Sequence, residues 1–207
     1  MNRRNTLIFL VIVVTVVIII DSNRSGETTA DYAETIRQSR EERDLFMRTS
    51  PESPFAGMEE QFSGLKYFPT DSDYRINASL IRIEDPEIVT LPTNDGKQER
   101  YLEYGRAVFD FQGNEYELLI LEIMSGPSRR SLFLAFGDAT SAGETYGAGR
   151  YLDLKKVPGA TSVVLDFNYA YNPYCAYNDS YSCTLPPREN LLPFVINAGE
   201  RIYTDEN

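Results

Sequence analysis

The chain has 207 residues, of which 42% are hydrophobic and 12% aromatic, as in a globular protein with a core rather than a disordered one. Its formal net charge is −11, and because the first 20 residues contribute only Arg3 and Arg4, 18 of the 20 basic residues and all 31 acidic ones lie in residues 21–207. Such an acidic chain is not expected to bind nucleic acid. The absence of histidine excludes Ser-His-Asp and Cys-His catalysis and histidine-based metal sites, so we predict neither a metal nor a cofactor.

The amino terminus has an uncharged apolar run, residues 7–20, between two arginines and Asp21. As a helix this run would rise about 21 Å, against a hydrocarbon core of about 30 Å, and flanking polar side chains can extend its reach. A cleaved secretory signal is the alternative, although no small-residue cleavage site follows the run. We predict an uncleaved transmembrane signal anchor at residues 1–21, with the amino terminus in the cytoplasm.

The remainder is predicted to be a linker, residues 22–30, and a single globular domain, residues 31–207. The anchor would attach this domain to the membrane and place it outside the cytoplasm, in the periplasm or at the cell exterior. A domain tethered in this way would have access to protein partners in a membrane complex.

The domain begins with a predicted amphipathic helix within residues 29–48. Tyr32, Ile36 and Leu45 recur at roughly helical spacing, and the opposite face is strongly charged. Thr28 or Thr29 can cap its amino end. The following Ser-Pro pairs, at residues 50–51 and 53–54, end it.

Short β-rich segments separated by turns occupy most of the remaining chain. Asn94-Asp-Gly-Lys97 is a strong hairpin signal, and Gly113-Asn114 predicts a second tight turn. Seven to nine strands are predicted, near residues 74–83, 88–91, 101–111, 116–124, 131–136, 151–154, 162–167 and 194–196. No strand-helix alternation is present, so the predicted fold is mainly β, an antiparallel sandwich or barrel, with the amphipathic helix packed on it and the transmembrane helix before it.

The candidate functional region is residues 144–190, which are dense in Tyr, Asn, Gly and Pro. In Glu144-Thr-Tyr-Gly-Ala-Gly-Arg150, backbone amides and Arg150 can form an anion-binding loop. The alternative is a tight turn whose arginine pairs with Asp153 or Asp166. The candidate ligand-binding residues in the region are Tyr146, Arg150, Asn168, Tyr171, Asn172, Tyr174, Tyr177 and Asn190.

The carboxylates of this region are the candidate catalytic groups: Glu144, Asp153, Asp166 and Glu189. If the loops fold together, two of them can act as general acid and base, as in glycoside hydrolysis. Carboxylates close to arginines are more often structural ion pairs. Stacking tyrosines suit a sugar or an aromatic ligand, although tryptophan is absent.

Cys175 and Cys183 are the only cysteines, and seven residues separate them. Outside the cytoplasm, a disulfide that closes this short loop is the favoured interpretation. A metal site would need further ligands that the sequence does not offer, and a reactive thiol would lack an obvious base. Two free buried thiols are the remaining alternative.

Several segments together resemble an uncharacterised bacterial and archaeal family, domain of unknown function 1684. The resemblance spans roughly residues 35–203, and the family has no established activity. It therefore implies membership and no reaction. The segments are Phe62-Ser-Gly-Leu-Lys-Tyr-Phe-Pro69, residues 144–153, residues 166–178, and Leu185-Pro-Pro-Arg-Glu-Asn190 with Ala198-Gly-Glu200.

Two functional hypotheses follow from these features. The first is a membrane-tethered extracytoplasmic β domain that binds a ligand or a protein partner through residues 144–190, as an accessory subunit of a membrane complex. The second is a histidine-independent hydrolase that uses the clustered carboxylates and Arg150.

Overall fold

The computed structural model describes residues 28–204, and the predicted anchor at residues 1–21 lies outside them. No helix within the described range is both long enough and apolar enough to cross a membrane. By its contacts the chain divides into two units, Met1–Thr35 and Ile36–Asn207, and the second contains the whole sheet.

The predicted helix is present as α1, Thr29–Thr49, within one residue of its expected carboxyl end. Thr28 caps it: the Asp31 amide donates to Thr28 Oγ1 at 3.1 Å, and Asp31 accepts from the Thr28 amide at 3.2 Å. This reciprocal pair satisfies donors that a helix start otherwise leaves unpaired. Of the residues in the second unit, Ile36 and Met47 are fully buried, so this part of α1 belongs to the core.

Within residues 28–204, seven strands form one antiparallel sheet in the order β6-β5-β4-β3-β1-β7, and β2 pairs with β3 beside this path. The mainly β, antiparallel prediction is confirmed. The strands are β1 Arg75–Arg82, β2 Ile88–Pro92, β3 Gln98–Phe111, β4 Asn114–Ile123, β5 Leu132–Phe136, β6 Arg150–Leu154 and β7 Ser162–Asp166.

Both predicted hairpin turns are formed. Gly96 and Gly113 have φ values of +82° and +81°, a conformation that glycine adopts without strain, and they lie in the β2–β3 and β3–β4 turns. The predicted strand at residues 194–196 is wrong. The backbone of these residues forms hydrogen bonds with an irregular loop and not with a strand: the Ala139 amide donates to the Phe194 carbonyl, and the Ile196 amide donates to the Asp138 carboxylate.

The sheet curves into a half-barrel, so the predicted barrel is closer to the observed fold than two stacked sheets. A bulge between Glu103 and Gly105 interrupts the β3–β4 register, and bulges of this kind increase local twist. Only glycine fits at position 105, because a Cβ there would lie 2.8 Å from the Ile81 carbonyl oxygen.

Both faces of β5 and of residues 118–121 of β4 are buried. The large cluster on one face includes Leu118, Ile120 and Phe136. The smaller cluster on the other face is formed by Leu91, Leu119, Leu121, Phe133 and Ala135, with Tyr101 and Tyr151 packed against it. Successive side chains of a strand point to opposite faces, so Tyr101 and Tyr151 lie on the same side of the sheet as this second cluster. A cavity opens on that side.

Candidate functional site

A cavity of about 640 Å³ opens beside the smaller cluster. The sheet supplies Tyr101, Phe133, Tyr151 and Asp153, and α1 supplies Arg43. The remaining walls come from further residues of strands β3 to β6, from the loop at residues 171–184 and from the β4–β5 connection. The other lining residues are Glu99, Ile123, Ser128, Ser131, Leu132, Leu154, Tyr171, Pro173, Tyr174, Tyr181, Ser182, Cys183 and Thr184.

Six of the eighteen residues that line the cavity are aromatic. Phe133 meets Tyr151 edge-on with centroids 4.7 Å apart and stacks on Tyr101 at 5.5 Å. Tyr151 meets Tyr171 edge-on at 5.9 Å. These contacts hold the rings in fixed orientations, so the wall is preformed for a ligand.

The tyrosine hydroxyls of the cavity differ in their hydrogen bonding. Tyr151 donates to the Thr184 carbonyl at 2.6 Å, and Tyr101 is 2.6 Å from the Thr184 hydroxyl. Tyr174 and Tyr181 meet edge-on at 5.2 Å, and within residues 28–204 neither hydroxyl has a hydrogen-bond partner. These two hydroxyls are therefore available to a polar ligand.

Of the four candidate carboxylates, Asp153 lines the cavity. It lies two residues after Tyr151 on β6 and therefore on the same face of the strand. Tyr171 donates to its Oδ1 at 3.0 Å. Although the side chain is accessible from the open side of the cavity, desolvation by the surrounding walls raises the pKa of Asp153, and the hydrogen bond from Tyr171 opposes that shift.

Arg43 forms the α1 side of the cavity and was not among the predicted residues. Its guanidinium lies 4.5 Å from the ring centroid of Tyr171. Behind it, Nε donates to Glu200 at 3.4 Å and Nη2 donates to the Asn172 carbonyl at 3.5 Å. A second cavity of about 510 Å³ shares Arg43, Asp153, Tyr171 and Tyr174, so the open surface continues along α1.

Glu200, the counter-ion of Arg43, is fully buried. The Tyr177 hydroxyl donates to Oε1, and Asn172 donates through its backbone at 3.3 Å and through Nδ2 at 2.9 Å. Burial raises the pKa of Glu200, and the charge of Arg43 opposes this. Tyr177 and Asn172, predicted to bind ligand, instead bind the carboxylate that positions Arg43.

Arg150 does not form an anion-binding loop, and this prediction is wrong. Its side chain is fully buried, and Nη2 pairs with Asp138 at 2.8 Å rather than with Asp153 or Asp166. It also donates to the carbonyls of Ile196, Ala198 and Glu200. Alternation along β6 explains the error, because Arg150 points to the core while Tyr151 and Asp153 point to the cavity.

Asn168 and Asn190 are also structural. Asn190 bridges strands, donating to the carbonyls of Leu119 at 3.0 Å and Ala135 at 2.8 Å. Asn168 exchanges hydrogen bonds with the backbone of Asp71, at 3.0 Å to its amide and 2.7 Å to its carbonyl. Both side chains are buried, so the prediction that they contact a ligand is wrong.

The other three candidate carboxylates do not line the cavity, and each pairs with a different arginine. Glu144 meets Arg201 at 3.4 Å, and Glu189 meets Arg106 at 3.4 Å. Asp166 is 3.8 Å from Arg75 and caps the turn that follows β7. The structure does not bring these groups together with Asp153, but it adds Glu99 to the cavity wall.

The predicted disulfide is not formed, because Cys175 and Cys183 are free, buried thiols. The Cys175 amide donates to Cys183 Sγ at 3.1 Å. The two residues are therefore adjacent, as their short spacing predicts, but hydrogen bonds and not a disulfide join them. Hydrogen bonding from Cys183 and then from Tyr146 lowers the pKa of Cys175 to about 7. The hydrogen bond with Cys175 raises the pKa of Cys183. Tyr146 thus contacts a thiol, 3.7 Å from its hydroxyl, and does not line the cavity.

Comparison with known proteins gives the family of this chain. Residues 60–201 match the family described as "Protein of unknown function (DUF1684)", a range that includes every lining residue of the cavity except Arg43. The solution NMR structure of an uncharacterized protein from Haloarcula marismortui is 37% identical, covers 86% of this chain and 97% of its own, and has a TM-score of 0.66. No functionally curated protein matches. The chain therefore belongs to the DUF1684 family, which has no established activity.

Proposed function

We propose that this protein is a small-molecule-binding domain and that its ligand occupies the tyrosine-lined cavity beside β6. The supporting observation is the cavity itself, about 640 Å³ with six aromatic rings in its wall. Ligand sites in proteins have volumes of about 300–1,000 Å³, apolar walls and a few oriented polar groups. Here the polar groups are the Asp153 carboxylate and the hydroxyls of Tyr174 and Tyr181.

A fragment screen by ligand-observed NMR on the full-length protein tests this proposal. Hits are titrated against Tyr174→Ala and Tyr181→Ala, each of which removes one ring from the wall. An aromatic contact contributes about 0.5–1.5 kcal/mol, so either change should weaken binding about two- to tenfold. Tyr116→Leu is the control, because Tyr116 is half-buried but packs against Phe109 and Phe194, away from the cavity.

The control should leave fragment affinity unchanged. The proposal fails if no fragment binds, or if binding is as strong in both cavity variants as in the unchanged protein. Equal losses in Tyr116→Leu and the cavity variants would also contradict it, because the effect would then reflect general destabilisation.

A hydrolase is the second candidate, and the observation that favours it is that Asp153 and Glu99 line the same cavity. The raised pKa of Asp153 suits a general acid, and glycoside hydrolysis uses a pair of carboxylates. Turnover of aryl glycosides or aryl esters that disappears in Asp153→Asn would support this candidate. Absence of turnover across such a panel would eliminate it.

The proposed setting is a membrane-tethered domain outside the cytoplasm, able to act as an accessory subunit of a membrane complex. Its basis is the apolar run at residues 7–20 with basic residues before it and acidic residues after it. Labelling of a cysteine introduced at exposed Asp110, with a membrane-impermeant maleimide in intact cells, tests this orientation. Labelling only after lysis would contradict it.

A further inference from the structure

We infer that the ligand of the cavity is an organic cation, a protonated amine or a quaternary ammonium group. This inference rests on the proposed function, since it names the class of molecule that the proposed site would bind. The residues that support it are Asp153, Glu99 and the aromatic rings of the cavity wall.

The cavity wall has an excess of negative charge. Asp153 accepts a single hydrogen bond in the described part of the chain, from Tyr171 to Oδ1, so Oδ2 can accept from a ligand. Glu99, the second carboxylate of the wall, forms no ion pair with any residue in the range 28–204. The charge of Arg43 lies close enough to oppose the rise in the pKa of Asp153, but it makes no direct ion pair with this carboxylate in residues 28–204. A charged donor entering the cavity would therefore meet two carboxylates without a bonded counter-ion.

The cation of the wall, Arg43, already has a counter-ion. Its charge is compensated by fully buried Glu200 at 3.4 Å, and its flat face covers the Tyr171 ring. Two of its nitrogens point to Glu200 and to the Asn172 carbonyl, away from the cavity. Arg43 therefore does not supply a free positive charge for an anionic ligand.

The aromatic rings favour the same class of ligand. The faces of tyrosine and phenylalanine carry negative electrostatic potential and attract ammonium groups, and several such rings around a carboxylate form a typical site for an organic cation. The wall has five such rings besides Tyr171, which Arg43 already covers: Tyr101, Phe133, Tyr151, Tyr174 and Tyr181.

Other ligand classes leave part of this arrangement unused. A carboxylate or phosphate would be repelled by Asp153 and Glu99. A neutral sugar could bind the free hydroxyls, but it would not compensate the carboxylate whose desolvation raises its pKa. The formal net charge of −11 also increases the concentration of cations near the surface.

The test compares molecules of one shape that differ in charge. Choline is titrated against its uncharged isostere 3,3-dimethylbutan-1-ol, and benzylamine against benzyl alcohol and benzoate, on the full-length protein. We expect at least one cation to bind ten or more times more tightly than its isostere. Asp153→Asn should reduce that preference at least fivefold, with little change in melting temperature because the side chain is accessible.

Asp110→Asn is the control for the change in net charge. Asp110 is exposed on β3 and does not line the cavity, so this variant should keep the preference for cations. Equal binding of cations and isosteres, binding of benzoate alone, or an unchanged preference in Asp153→Asn would overturn the inference. If any of these molecules still binds and the Tyr174 and Tyr181 variants weaken it, the proposed function stands. If no fragment of any charge binds, both the inference and the proposed function fail.

Discussion

Replacing Asp138 with asparagine tests whether Arg150 is a structural residue of the core. Asp138 Oδ2 accepts from Arg150 Nη2 at 2.8 Å, and both side chains are almost completely buried. Oδ1 accepts from the backbone and hydroxyl of Thr140 and from the Ile196 amide. Asparagine can keep the Oδ1 bonds, but it replaces the acceptor that faces the guanidinium with an amide group that cannot accept.

The expected cost is the cost of leaving a buried charge without a counter-ion. Removal of one partner of a buried ion pair destabilises a protein by about 3–5 kcal/mol. Arg150 would keep its hydrogen bonds to three carbonyl groups, so we expect the lower end of this range, about 3 kcal/mol. For a chain of this size, that loss lowers the melting temperature by roughly 6–12 °C.

Urea unfolding followed by circular dichroism measures this change. Glu144→Gln is the matched control, because Glu144 pairs with Arg201 at 3.4 Å on the surface, where a pair contributes less than about 1 kcal/mol. Equal small effects of the two variants would refute the structural role of the buried pair. A loss below about 1 kcal/mol in Asp138→Asn would refute it as well.

Two further predictions concern the backbone and the thiols. Gly149→Ala should destabilise the protein by about 2–5 kcal/mol in urea unfolding, because φ is +88° and the new Cβ would lie 2.5 Å from the Phe136 carbonyl oxygen. Gly113→Ala is the control: φ is +81° but the space around it is open, so this change should cost only about 1–2 kcal/mol. Equal costs in the two variants would refute the steric argument. In a pH titration followed by the ultraviolet absorbance of the thiolate, Cys175 should lose its proton near pH 7 while Cys183 stays protonated. Cys175→Ser should remove this transition. The absence of any thiolate below pH 8 would contradict the hydrogen-bonded pair.

Much of the fold could be predicted because its signals are local. The helical spacing of apolar residues gave α1 within one residue of its end, and the glycine turns at residues 96 and 113 gave two hairpins. The wrong prediction of a strand at residues 194–196 also arose from reading a local signal. A short apolar run can be either a strand or irregular backbone, and here the Asp138 carboxylate and the residue 137–139 loop bind it.

The candidate site could be predicted only in part. Asp153, Tyr171 and Tyr174 were identified and line the cavity, but Arg43 and Glu200 were missed. Those two residues are 157 positions apart, and no periodicity in the sequence reports such a pairing. One signal in the sequence could have pointed to this pair: Glu200, in the segment Ala198-Gly-Glu200, is an acidic residue that can pair with an arginine of α1, such as Arg43.

The sequence by itself determined the composition of the domain, its antiparallel strands and the aromatic-rich segment, because these depend on local periodicity and turn chemistry. Only the tertiary structure decided which side chains of that segment face the cavity. Arg150 and Asp153 are three residues apart on one strand, yet the first points into the core and the second into the cavity. Strand register and the curvature of the sheet set that difference, and both arise from contacts between residues distant in the chain.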